Sequence, residues 1–182
     1  MTGTFLYYAR AVDSTVLLSL SALASEQTSP TENIMKKVML FINYAASQEE
    51  AVVTYHASDM VPACQSDTLY LSEPGSLSRV GGHFHLSNDV TMPANNGAVL
   101  NIAQIIRTVK TSVAEAEIGE MFINTWEAVP QRMTLVEMGH PQPRTPMQTK
   151  NSSAYSVVTN NVQPRRTKAM DMHFYWLRCI DA

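Results

Sequence analysis

The chain has 182 residues, a formal net charge of −3 and 45% hydrophobic residues, which predicts one compact globular domain with room for an appended subdomain. Charged residues make up only 16%, so the composition gives no sign of a generally basic, nucleic-acid-binding surface. The two cysteines lie far apart, and no apolar run resembles a membrane span or a secretory signal, so we expect an intracellular, reducing compartment.

The N-terminal segment predicts a helical hairpin. Apolar residues recur at three- and four-residue steps over about 5–24, which predicts one long helix with an apolar face. Residues 28–31 break it, and Thr31 is a good cap for a second helix with Glu32 in its first turn. Such a hairpin leaves an apolar face to cover, so we expect a protein partner or self-association through these helices.

The character of the chain then changes to strands. Short β-branched or apolar runs separated by turn residues predict strands over 51–57, 60–67, 78–87 and 98–106. Short connections between the last three of these strands predict an antiparallel meander. The Gly81-Gly82 pair predicts a bulge or bend within its strand.

Helix signals follow the strands. Ser112 and Glu115 have the spacing of a capping box at the start of a helix over 111–129. Pro130 suits the first turn of a separate helix that ends at Gly139. The remaining elements are a short strand over 145–149, a short helix over 152–160 and a final helix over 167–178. This order predicts an α+β class with a mixed sheet.

Three carboxylates on three elements are candidates for a metal site. Asp67 is expected at a strand end, Glu117 on the inward stripe of a helix, and Asp171 in the first turn of the last helix. If they converge, their oxygens suit Mg²⁺, and two such ions can hydrolyse a phosphodiester. On spacing alone, the alternative is three ordinary acids at a turn, in a salt bridge and in a helix N-terminal turn.

Four blocks of the sequence resemble the RNase H region of copia-type retrotransposon polyproteins, and they occur in the same order. They are SDTLYLSEPGSLSRVGGHFHLS, TSVAEAEIGEMF, GHPQPRTPMQTKNSSA and RTKAMDMHFYWLR. The N-terminal helices are similar to the thumb or connection helices that precede RNase H in those polyproteins. The resemblance covers nearly the whole chain.

The resemblance implies an RNase H-like fold, with a five-stranded mixed sheet flanked by helices, over 51–182, after a thumb- or connection-like hairpin over 1–50. It also implies hydrolysis of the RNA strand of an RNA–DNA hybrid with two Mg²⁺, and it places metal ligands at Asp67, Glu117 and Asp171. The family continues beyond the point where this chain stops. We therefore expect a C-terminally truncated, stand-alone reading frame, either a domesticated gene or a truncated transposable element.

One position departs from the family pattern. The family's motif Thr-Asp-Asn-Ser carries the remaining metal-binding acid, and the present chain has Lys150 in place of its aspartate. A protonated ammonium cannot bind Mg²⁺ and repels it. If Lys150 points inward, it can pair with one of the acids and neutralise the cluster without metal, which predicts a pseudoenzyme.

Two hypotheses therefore stay open. The first is a degenerate, inactive RNase H-like domain that serves as a structural or nucleic-acid-binding module, or as a subunit of a larger assembly. The alternative is an active Mg²⁺-dependent ribonuclease H.

Nucleic-acid contacts have their own candidates. The cluster of Arg165, Arg166 and Lys168 predicts phosphate contacts, with a solvated basic loop as the alternative. Three aromatic residues could stack on bases or belong to the core: Trp126, Tyr175 and Trp176. His83 and His85 share one face of a strand and are expected to be structural.

Overall fold

The computed structural model describes residues 2–48, 50–150, 152–159, 173 and 175–177. The chain divides into two compact units, Met1–Tyr55 and His56–Ala182. Buried apolar residues occur in both units, so each has a core of its own.

The described residues of the first unit form three helices rather than two. They are α1 (Thr2–Ala11), α2 (Leu17–Ser25) and α3 (Glu32–Ser47), with a short 3₁₀ turn at Ser14–Val16 before α2. The predicted single helix over 5–24 is wrong because Asp13 interrupts it. The Asp13 carboxylate accepts hydrogen bonds from the Thr15 backbone N–H at 3.0 Å and its hydroxyl at 2.6 Å. Such local bonds compete with helical ones.

Helix α3 begins as predicted. The Thr31 hydroxyl accepts a hydrogen bond from the Ile34 backbone N–H at 3.3 Å, which caps the first turn. Phe41 of α3 packs edge-to-face on Phe5 of α1, with ring centroids 5.3 Å apart. On its outer side α3 exposes large apolar residues, namely Met35, Met39, Leu40 and Tyr44.

The second unit is built on a four-stranded mixed sheet. Its strands are β1 (Val61–Glu73), β2 (Leu77–Ser87), β3 (Ala98–Ile106) and β4 (Met147–Thr149), in the spatial order β3-β2-β1-β4. The first three form the predicted antiparallel meander, and β4 pairs in parallel with β1. This confirms the α+β class. The described residues form four strands, not the five that were expected.

Two strand predictions are wrong. Residues 51–57 do not form a strand, although Val52 and Val53 are β-branched, and both are exposed. Strand propensity is effective only where a neighbouring strand supplies hydrogen bonds and packing. Strand β1 also continues beyond residue 67, so Asp67 lies within the strand instead of at its end.

The paired glycines do not form a bulge. Gly81 and Gly82 pair in regular register with Asp67 and Ser66. The register shifts lie elsewhere, between Leu69 and Glu73 in the β1–β2 pair and between Phe84 and His85 in the β2–β3 pair.

A single long helix, α4 (Val113–Glu137), packs on β1 and β2. Its predicted cap is confirmed, because the Ser112 hydroxyl accepts from the Glu115 backbone N–H at 3.2 Å. The predicted break at Pro130 is wrong, since the helix continues through it. A proline removes one helical hydrogen bond, and the packing of α4 on the sheet outweighs that loss. Gly139, with φ of 90°, follows the end of the helix as predicted.

The last described elements agree with expectation. Strand β4 is followed by α5 (Ser152–Val158), and residues 173 and 175–177 are helical within the predicted final helix. Two apolar clusters lie against α4. Met147 of β4 packs against the first, which is formed by Cys64, Phe84 and Ala128, and Val158 and Leu177 belong to the second, with Ile118 and Met121. No helix in the described part of the chain is long and apolar enough to cross a membrane.

Candidate functional site

The parallel pairing of β4 with β1 places Lys150 next to Asp67. Thr149 pairs with Ser66, so the next residue of each strand lies at the same level. The Lys150 Nζ atom lies 3.3 Å from Asp67 Oδ2. This is an exposed ion pair, because the two side chains are 86% and 61% accessible to solvent. The ammonium therefore contacts one of the three acids that the resemblance assigns to metal binding.

The alternation of β1 sets the side on which Asp67 leaves the sheet. The β1–β2 register runs without a shift from Val61 to Leu69, so side chains alternate regularly between the two faces. Cys64 packs against Ala128 of α4. Asp67, three residues later, therefore leaves the sheet on the side away from Cys64.

Glu117 belongs to a different environment. It is buried, at 8% accessibility, on the side of α4 that also carries Glu120 one turn later. Glu120 is fully buried at 0%. Burial and, after it, the charge of the neighbouring Glu117 carboxyl raise the pKa of the Glu120 carboxyl to about 9. The Asp67 charge makes a smaller contribution in the same direction. At neutral pH, Glu120 is therefore protonated and carries no charge.

Asn124 holds the Glu120 carboxyl in place. Its side-chain Nδ2 donates to Glu120 Oε1 at 2.9 Å and to the backbone oxygen of Gly81 at 3.1 Å. Asn124 is itself fully buried, so this amide connects α4 with β2 inside the core. A hydrogen bond to a buried carboxyl offsets part of the cost of removing it from water.

Gly82 makes room for this amide. A Cβ atom at position 82 would lie 2.4 Å from Asn124 Oδ1 and 3.0 Å from a ring carbon of Phe84. The same atom at Gly81 would have its nearest neighbour, the Asp67 backbone oxygen, at an ordinary 3.5 Å. Gly82 is thus needed because α4 approaches β2 closely at this position. This close approach, and not the predicted bulge, accounts for a glycine at position 82.

The structure brings together some of the predicted site residues. Lys150 contacts Asp67, and Glu117 is the neighbouring acid with the largest effect on the buried Glu120 carboxyl; Asp67, on the other side of the sheet, adds only the smaller charge contribution. Asp171, Arg165, Arg166 and Lys168 lie outside the described residues. Within the described ranges, no group of three or more His, Cys, Asp or Glu side chains is arranged to hold a metal ion.

Glu120 and Asn124 were missed at the sequence level. The signal was available, because Glu117, Glu120 and Asn124 follow each other at three- and four-residue steps and therefore share one face of a helix. That spacing does not reveal which face is buried. The burial follows from the packing of α4 on β1 and β2.

A buried lysine lies near the start of α4. Lys110 is 5% accessible, and burial lowers its pKa while the Glu115 charge partly restores it. The pKa of His173 is lowered by burial and by the Lys110 charge. The His173 ring stacks on Phe122 of α4, with centroids 4.1 Å apart. These groups connect the described part of the last helix to α4.

Aromatic rings extend from this contact toward solvent. The ring of Trp126 lies 5.6 Å from that of Trp176 and 6.3 Å from that of Phe122. Trp126 is 60% accessible, and Tyr175 is 62% accessible. Trp126 and Tyr175 are therefore not core residues, whereas Trp176 packs partly against the apolar cluster around Met121.

The remaining candidates are structural. His83 makes hydrogen bonds with the side chains of Asn101 at 2.8 Å and Asn95 at 3.0 Å, and its ring lies 5.3 Å from that of His85. Burial raises the pKa of the Cys64 thiol to about 12, so it is an unreactive thiol at neutral pH.

No protein-family model, curated protein or solved structure matches the chain.

Proposed function

We propose that the chain is an RNase H-like module that binds nucleic acid without cleaving it. The observation that carries the proposal is the 3.3 Å contact between Lys150 Nζ and Asp67 Oδ2. The resemblance to copia-type RNase H expects a metal-binding carboxylate at position 150. Here the side chain at that position is a cation next to the first of the expected ligands.

The local charge opposes a divalent ion. A Mg²⁺ ion that binds the Asp67 carboxylate has to approach the Lys150 ammonium or displace it, and both outcomes cost electrostatic free energy. Glu120 gives no compensation, because its raised pKa of about 9 leaves it neutral at pH 7. These charges favour a site that is stable without metal.

Exposed aromatic residues supply the binding surface in this proposal. The rings of Trp126 and Tyr175 are largely open to solvent, and Trp126 is supported by Trp176. Aromatic faces stack on bases with little sequence preference. The basic cluster of Arg165, Arg166 and Lys168 stays a predicted source of phosphate contacts. A protein partner on the N-terminal helices also stays a prediction.

The first experiment measures cleavage and binding on one substrate. Purified protein is incubated with a labelled RNA–DNA hybrid in Mg²⁺ or Mn²⁺, and retention is measured over a range of salt concentrations. We expect an intact RNA strand and binding that weakens with salt. Metal-dependent cleavage that disappears in Asp67→Asn would establish an active ribonuclease H instead. Absence of binding at low salt would refute the nucleic-acid role.

Trp126→Ala tests the aromatic surface. Loss of one stacked base should cost about 1–3 kcal/mol of binding free energy. Tyr7→Ala is the control, because Tyr7 is an aromatic residue of the first unit that is even more exposed than Trp126, at 76% accessibility. If both variants bind the hybrid equally well, Trp126 does not belong to the proposed binding surface.

Lys150→Asp tests the charge argument. Restoring the acid of the family pattern should produce a Mg²⁺ affinity that the natural chain lacks, measured by calorimetry. Lys36→Asp makes the same change of charge on the exposed side of α3 and should have no such effect. If Lys150→Asp binds Mg²⁺ no better than the control, position 150 does not belong to a latent metal site.

A further inference from the structure

A cavity of about 370 Å³ lies between α4, the segment leading into β4, and α5. Its apolar walls include Met121, Ala128, Met147, Val158 and Leu177. Small-molecule sites commonly have volumes of roughly 300–1,000 Å³ and mostly apolar walls with a few polar groups. The cavity therefore has the size and the lining of a site for the apolar body of a small ligand.

Two arginines, Arg132 and Arg144, line the same cavity. The Arg132 guanidinium donates to the backbone oxygens of Gln142, at 2.7 Å, and Pro143. These acceptors are neutral, so they orient the guanidinium without cancelling its charge. Arg144 is exposed, which places its charge toward solvent. In the described segments, neither arginine has a carboxylate within ion-pair distance.

We propose that this cavity binds a carboxylic acid with an aliphatic body, of the medium-chain fatty acid type. The carboxylate would lie against Arg144 and Arg132, and the hydrocarbon against the methionine and leucine side chains. Charge-assisted hydrogen bonds from guanidinium to carboxylate are among the strongest available in proteins. This inference does not depend on the proposed nucleic-acid binding.

A free nucleotide fits the same cavity poorly. Its phosphate matches the arginines, but most of the lining is apolar, and its base and ribose would find side-chain hydroxyls only at Thr125, Thr145, Tyr155 and Thr159. An unpaired polar group in an apolar environment is costly. The combination of cationic opening and aliphatic wall therefore selects an acid whose remaining atoms are apolar.

The methionines make the test direct, because Met121 and Met147 line the cavity. The full chain, labelled at methionine methyl groups, is titrated with decanoate, decanol, acetate and adenosine monophosphate, and methyl resonances are followed by NMR. We expect saturable shifts of Met121 and Met147 with decanoate. Decanol lacks the charged hydrogen bond, so its affinity should be about tenfold lower than that of decanoate. Acetate and the nucleotide should give no saturable shift.

Arg144→Gln supplies the matched variant. Its side chain is exposed, so folding should be retained, and decanoate affinity should fall about tenfold while decanol affinity stays the same. Arg107→Gln removes the same charge from an exposed position outside the cavity and should leave both affinities unchanged.

Three outcomes would overturn the inference. They are equal affinities for decanol and decanoate, equal effects of the two arginine variants, and shifts confined to Met35 and Met39. Those two methionines lie on the exposed side of α3, so shifts there would mean nonspecific adsorption of hydrocarbon to an apolar helix face.

Discussion

The two halves of α4 treat charge in opposite ways. The first half buries Glu117 and Glu120 near β2, where Glu120 gives up its charge by keeping a proton. The second half carries Arg132 along a cavity, where the guanidinium keeps its charge. A carboxyl can become neutral within the accessible pH range, whereas a guanidinium cannot. One helix therefore holds a neutral buried acid in its first half and a charged guanidinium in its second half.

The largest expected effect comes from closing the space that Asn124 occupies. Gly82→Ala places a methyl group 2.4 Å from Asn124 Oδ1, and the fully buried amide cannot move to solvent. We expect a loss of about 3 kcal/mol in the free energy of unfolding, measured by urea denaturation.

Gly81→Ala is the matched control for that change. Its new methyl group would meet only an ordinary contact at 3.5 Å, so we expect a change of about 0.5 kcal/mol or less. If both substitutions lower the free energy of unfolding equally, the packing of α4 on β2 around Asn124 does not depend on the close approach at Gly82.

Glu120→Gln should sharpen the contrast between the two halves. The folded pKa of Glu120, about 9, lies above its ordinary value of 4.5, so the folded protein binds more protons than the unfolded chain between these values. Stability due to this group is therefore complete at low pH and is lost as pH rises from about 4.5 to about 9. Glutamine resembles the protonated acid. The variant should be close to the natural protein in stability at pH 5 and clearly more stable than it at pH 8.

Chemical denaturation at the two pH values measures this difference. Glu137→Gln, at the exposed end of α4, removes a carboxylate without a burial cost and should change stability by about 0.5 kcal/mol or less at both pH values. If the stability gain of Glu120→Gln over the natural protein is no larger at pH 8 than at pH 5, Glu120 is ionised in the folded state.

Local signals in the sequence predicted much of the fold. The caps at Thr31 and Ser112 and the stop at Gly139 were found because each depends on hydrogen bonds or backbone angles within one turn. The helix that continues through Pro130 was not predictable in this way. Its continuity depends on packing against strands that are distant in sequence.

The same distinction between local signals and long-range packing applies to the candidate site. The resemblance led us to expect that Lys150 could pair with one of the acids; the parallel pairing of β4 with β1, which brings Lys150 level with Asp67, was not predicted. The role of Gly82 was predicted wrongly, and Glu120 was missed. Both depend on the depth at which Asn124 enters the core, and no short sequence pattern encodes that depth.

The smallest expected effect concerns the exposed ion pair. A double-mutant cycle with Lys150→Met and Asp67→Asn should give a coupling of about 0.2–1 kcal/mol that decreases with salt, as for other exposed pairs. The pair of Lys37 and Glu26, 2.9 Å apart and less exposed, is the control and should couple at least as strongly. A coupling for Lys150 and Asp67 well above the control would mean that burial strengthens the pair. A weak coupling agrees with the structure: the lysine then acts on metal affinity through its charge and position, while the stability of the fold depends on the buried contacts around Asn124.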